Sequence, residues 1–240
     1  MTRAIRFLSA ATALFVLGGC VSVDTSTFMS QFAGSGALDT GTIVSGLKQA
    51  LEVGTGNAVA STGRTGGYWS NLAIRIVMPE KFQSVAATLR KVGMGAQVDA
   101  FERKMNDAAE AAATQAAPIF VDAIRQMSFA DARAILTGPD TAATDYFRAK
   151  TSASLKALYQ PVVTARMREL GVVATYDGLL AKYAAIPLTT KPALPRIEDY
   201  VTDRALEGLF KIVAQEEQQI RHNPAARTTA LLQRVFGGPS

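Results

Sequence analysis

Apolar residues recur at helical spacing along almost the whole chain, and that periodicity confines it to an all-α fold. Asp39 or Thr40 is suited to cap a first helix in which Ile43, Val44, Leu47, Ala50 and Leu51 share a face, and which should fade between Gly54 and Ser61. Pro79 suits the first turn of a second helix, with Phe82, Val85, Ala86 and Leu89 as its stripe and Gly93 as its stop. From Gly95 to Ala117 one face carries Val98, Phe101, Met105, Ala108 and Ala112, and another carries Asp99, Glu102, Asn106 and Glu110. Pro118 either kinks this helix or restarts it. Ser128 and Asp131 make a capping pair for a short helix that Gly138-Pro139 closes. Asp140 or Thr141 caps a longer one, interrupted at Pro161 and ended by Leu170-Gly171. Helical stretches at 172–185 and 198–221 follow, separated by an extended connector at Pro187, Pro192 and Pro195. Asn223-Pro224 opens a last helix, whose Leu231, Leu232, Val235 and Phe236 run up to Gly237. The alternating Ile74, Ile76 and Met78 predict one short strand at most. Residues 39–240 thus read as a single multi-helix bundle of about eight or nine helices.

The amino terminus follows different rules. Arg3 and Arg6 precede an apolar run from Phe7 to Leu17 that ends in Leu17-Gly18-Gly19-Cys20. About eleven residues are too few to span a bilayer and suit the middle of a secretory signal. The end of the run resembles a bacterial lipoprotein lipobox, which implies cleavage before Cys20, a diacylglyceryl thioether on its sulfur and an acylated amino group. Residues 1–19 are then the signal peptide. Residues 20–38, rich in Ser, Thr, Gly and Ala, form a lipidated flexible tether reaching roughly 25 Å. More than one acyl chain anchors stably where a single chain is marginal. Val21 stands where rules for inner-membrane retention look for Asp, so the expected address is the periplasmic face of the outer membrane.

Cys20 is the only cysteine, and a thiol spent on lipid leaves no disulfide to hold the fold. Burial must do so, and a 48% hydrophobic composition with few aromatics makes the core aliphatic and alanine-rich. The signal's two arginines account for two of the five charges in the formal +5, leaving +3 on the mature chain. That weak excess is scattered among acids, without the basic stripe of a nucleic-acid binder. No nucleic acid, cofactor or metal is expected.

Few side chains offer chemistry. Glu216 and Glu217 border the apolar stripe of Leu206, Leu209, Phe210, Val213 and Ile220, so a cation or donor must meet them, with Arg221 and Arg227 nearest. They read as an ion-pair network pinning the last helices, with an acid/base pair as the alternative. His222 misses the spacing of helical-bundle metal sites and suits a helix C-terminus instead. The stripe of Asp99, Glu102, Asn106 and Glu110 reads as the solvated side of its helix, or as the wall of a cleft. Alanines at 108, 109, 111, 112, 113, 116 and 117 allow close helix packing or leave room for an apolar ligand. The Gly63-Arg64-Thr65-Gly66-Gly67 loop lacks the Gly-Lys-Ser/Thr ending of a phosphate loop. Tyr68 and Trp69 beside it are candidates for a ligand or partner contact, or for a lid folded back on the core.

Several segments together resemble a Gram-negative family known as domain of unknown function 4197. They include Gly46-Leu47-Lys48-Gln49-Ala50-Leu51, the stretch Leu89 to Gly95, Phe101-Glu102 with Met105-Asn106 and Ala108-Ala109-Glu110, Asp122-Ala123-Ile124, Tyr146-Phe147-Arg148, and Asn223-Pro224-Ala225-Ala226-Arg227-Thr228-Thr229. The resemblance covers about Thr42 to Gly237 and implies a helical envelope lipoprotein, with no activity attached. It nominates Glu102, Asn106, Glu110, Glu217, Arg221 and Arg227 as one polar cluster. The expectation is a lipid-anchored, non-enzymatic binding or scaffold protein for a lipid-like ligand or an envelope partner. A hydrolase using Glu216 and Glu217 with Arg227 is the alternative.

Overall fold

The computed structural model describes residues 40–91, 93–184 and 196–227, with residues 229 and 233. The expected signal peptide, lipidation site at Cys20, tether and proline connector, and most of the stretch expected to form a last helix, lie outside them. Among the described residues the regular structure is helical: α1 (Thr40–Gly63), α2 (Glu80–Lys91), α3 (Gly95–Ala113), α4 (Ala117–Arg125), α5 (Phe129–Thr137), α6 (Ala142–Glu169), α7 (Val172–Ala184) and α8 (Ile197–His222), then a 3-10 turn at Pro224–Ala226. The all-α expectation holds.

Two helices outrun their sequence signals. α1 passes through 54–61 without fading because Thr55, Ala58, Val59 and Thr62 are buried, and because the Thr55 and Thr62 hydroxyls donate to the Leu51 and Ala58 carbonyls. Tertiary burial here outweighs poor helix propensity. α6 runs through Pro161 without the interruption expected there, and ends at Leu170 as expected. It is held on both sides of the proline by the fully buried Leu155, Tyr159, Val163 and Met167. Pro118, by contrast, restarts the chain, in the first turn of α4. The Ser128 and Asp131 capping box forms as expected.

α8 is the central strut, packed along α6, α1 and α3. α3 in turn lies against α6 and α1 and carries α2 on its outer side. Ala108, Ala109, Ala112 and Ala113 are completely buried, so the alanine face serves close helix approach. Phe120 meets Phe147 and Phe210 edge to face at centroid distances of 5.3 and 6.3 Å, filling the space between α4, α6 and α8.

Candidate functional site

The polar stripe of α3 is buried, which overturns its reading as a solvated face: only Asp99, paired with Arg90 at 2.7 Å, lies in solvent. Glu102, Asn106 and Glu110 stand one turn apart and grip the main chain that joins α1 to α2. Asn106 Oδ1 accepts from the Ile76 amide at 2.9 Å, and its Nδ2 donates to the Ile76 carbonyl at 2.8 Å. Glu102 Oε1 accepts from the Met78 amide at 3.1 Å, and its other oxygen receives Arg90 at 3.4 Å. The match is dimensional. Four residues of helix rise about 6 Å and two residues of extended chain about 6.7 Å, so a carboxylate and an amide at i and i+4 meet alternate amides. Ile74, Ile76 and Met78 are buried and Val77 is exposed, as strand-like alternation requires. The expected short strand is therefore an extended segment with no partner strand among the described residues, its ladder supplied by side chains of α3.

At the third position Glu110 accepts from three amides: Gly66 at 2.9 Å, Tyr68 at 3.1 Å and Trp69 at 3.2 Å. Gly66 has φ +78°, the left-handed conformation that turns neighbouring amides toward one point. The glycine-rich loop is thus an anion nest whose anion is the protein's own carboxylate. Tyr68 is fully buried and donates its hydroxyl to the Ala205 carbonyl at 2.6 Å, so of its two expected roles the inward one is realised. Burial first, then the Tyr159 and Glu110 environment, pushes its phenol well above the ordinary value. Trp69 is half-buried, with the Arg75 guanidinium 4.4 Å above its ring and Arg103 at 5.6 Å.

Glu217 does similar work at the other end. Thr141, at the N-cap position of α6, makes no side-chain cap, contrary to expectation, and neither does Asp140, which pairs with His222 at 2.8 Å. Instead Glu217 caps α6 from α8: Oε1 accepts from the Ala143 amide and Oε2 from the Thr144 amide, both at 2.9 Å, with the Thr144 hydroxyl at 2.8 Å. Arg221 completes the set, donating to Glu217 at 2.8 Å and to the Ile135 carbonyl of α5 at 2.8 Å. Arg227 does not reach the glutamates; it donates to the Ile220 and Arg221 carbonyls and closes the end of α8. Glu216 is partly exposed and accepts from Asn57 at 3.0 Å. The nominated single cluster is therefore two separate clamps, one on the 66–78 segment and one on the start of α6. The hollow beside Glu217 measures about 20 Å³, room for little more than a water.

A larger groove of about 360 Å³ lies between the extended segment and one face of α8, with Tyr200, Arg204 and Lys211 on the helix side and Glu80 at its far end. Tyr200 donates its hydroxyl to the Val77 carbonyl at 3.0 Å and Lys211 its ammonium to the Ala73 carbonyl at 3.1 Å. Nothing in the sequence pattern picked out these residues, since more than 120 positions separate the two walls. The family described as a protein of unknown function (DUF4197) matches residues 37–237, taking in both clamps and the groove. The chain belongs to the DUF4197 family. No curated protein and no solved structure matches it. In this DUF4197 protein no helix of the described residues is long and apolar enough to cross a membrane, and none of them gathers a metal-binding group of His, Cys, Asp or Glu.

Proposed function

We propose that this DUF4197 protein is tethered through acylated Cys20 at the periplasmic face of the outer membrane and works by binding an envelope partner, without catalysis. The observation that carries the second half is the engagement of the two buried carboxylates that hold main-chain loops and helix ends, Glu217 and Glu110. Glu217 accepts two main-chain amides, a threonine hydroxyl and an arginine, and Glu110 accepts three amides, so neither keeps an oxygen free for a proton transfer. A hydrolase built on Glu216, Glu217 and Arg227 would need the three around one bond, and each is turned to a different structural task. Of the two binding readings, a partner has more support than a lipid-like ligand, because the alanine face that would have to open for an apolar guest is closed on its neighbours.

The anchor is tested by labelling cells with an alkyne fatty acid. Wild-type chain should carry label and sediment with the outer membrane, and Cys20→Ser should lose both. An unlabelled wild type refutes the anchor. Native mass spectrometry of the detergent-released full chain tests the choice of ligand: beyond the acyl groups on Cys20, the expected mass is that of the polypeptide alone, and a retained lipid would reverse it.

A further inference from the structure

The groove between residues 73–78 and α8 has a main-chain edge that no described residue fully uses. Alternation along the extended segment sends the Ile76 amide and carbonyl and the Met78 amide toward α3. It sends the Arg75 carbonyl and both groups of residue 77 the other way, toward α8, where the Val77 carbonyl already meets Tyr200, while the Arg75 amide turns back to the Asn71 carbonyl at 2.8 Å. The Arg75 carbonyl and the Val77 amide remain on that side, and no group of the described residues bonds either. A carbonyl at i−1 and an amide at i+1 are the pair by which one residue of a parallel strand docks opposite residue i.

We propose that the groove takes an extended segment of a partner protein, laid parallel to residues 75–78 with one of its residues opposite Ile76. This rests on the partner-binding reading above and names the kind of partner. The edge is preorganised, since Asn106 and Glu102 hold it in the extended form before anything arrives. Charge gives the segment a direction. Lys211, on the Ala73 carbonyl, and Arg75 mark one end of the groove; Glu80, just past Pro79, marks the other. Arg204 and Glu207 lie between them and cancel each other at 2.7 Å. A parallel segment enters at the Lys211 end, so it should carry an acidic residue on its amino-terminal side and none at its carboxyl-terminal side.

The experiment pans a phage-displayed random decapeptide library against the acylated full chain in detergent. The expected product is a β-favouring consensus with an acidic residue ahead of the docked position. Val77→Pro removes the amide while leaving Ile76 in the extended region that precedes proline, and should weaken the selected peptide at least 30-fold. Lys211→Glu should weaken it about tenfold, and replacing the peptide's acidic residue by Lys should restore binding to that variant. The charge swap keeps the proposal falsifiable if Val77→Pro does not fold. A library that yields no consensus overturns the proposal, as does a consensus that binds Lys211→Glu unchanged. So does a wild-type chain that gives no consensus yet binds vesicles containing anionic lipid more tightly than the equally acylated Lys211→Glu chain does, which would make the face a lipid contact. Fatty-acid labelling of Cys20 is read separately, so failure in the groove leaves the anchor standing.

Discussion

Glu110 and Glu217 are both buried and both hold main-chain amides, but they are balanced differently. Glu217 faces the start of α6 and is paired with Arg221, whose side chain is only 12% exposed. Glu110 makes no ion pair among the described residues and spreads its charge over three amides of one loop. The difference shows that a buried carboxylate can be accommodated by converging backbone dipoles alone, and that an arginine is added where a second element must be tied in. Arg221 does that by reaching the Ile135 carbonyl of α5.

The contrast predicts unequal costs. Glu217→Ala should be the most damaging change, about 4 kcal/mol, because it uncaps α6 and strands a largely buried guanidinium. Thermal unfolding should fall by roughly 10 °C on that account. Glu110→Ala should cost about 2 to 3 kcal/mol by denaturant titration, since the amides of Gly66 and Trp69 are partly exposed and can be rehydrated. A reversed order would show that the arginine, not the amides, is dispensable. Gly208→Ala brings a Cβ to 2.6 Å from Tyr68 Cε1 and should cost about 2 kcal/mol, with loss of near-ultraviolet circular dichroism from the displaced ring. Ser128→Ala removes the capping box at the start of α5, whose two side chains bond each other and not the clamps, and should cost only about 1 kcal/mol.

At neutral pH the least effect comes from titration of the tyrosines. Burial raises Tyr176 from 10.0 to about 12, with Asp177 and Glu198 adding to it. A raised pKa means that the stabilisation is complete below about pH 10 and is lost as pH climbs toward about 12. Tyrosinate absorbance should therefore rise together with loss of helical signal in that window. Free ionisation near pH 10 without unfolding would show that the ring is open to water.

Much of the fold was legible because helix punctuation is local: the Ser128 and Asp131 pair and the first-turn position of Pro118 need only their neighbours. What misled was distance. Asp140 and Thr141 look like caps for α6, yet the cap comes from a helix far along the chain, and no local rule reports that. The burial of the α3 stripe escapes local rules for a related reason: polar residues at helical spacing normally face water. One signal pointed the other way, since Ala109 and Ala113 prolong the line of Glu102 and Asn106, and a stripe that turns apolar along its length is one that is buried. The groove was out of reach, because its most telling parts are a carbonyl and an amide that every residue type shares.

Capping α6 from Glu217 also sets an order of events. The acceptor lies 74 positions downstream of the Ala143 amide it satisfies, so the first turn of α6 stays frayed until almost the entire polypeptide has been delivered. A chain truncated just before residue 217 should show that turn exchanging its amide hydrogens quickly while the remainder of α6 is already protected, making the closing step a late one in assembly.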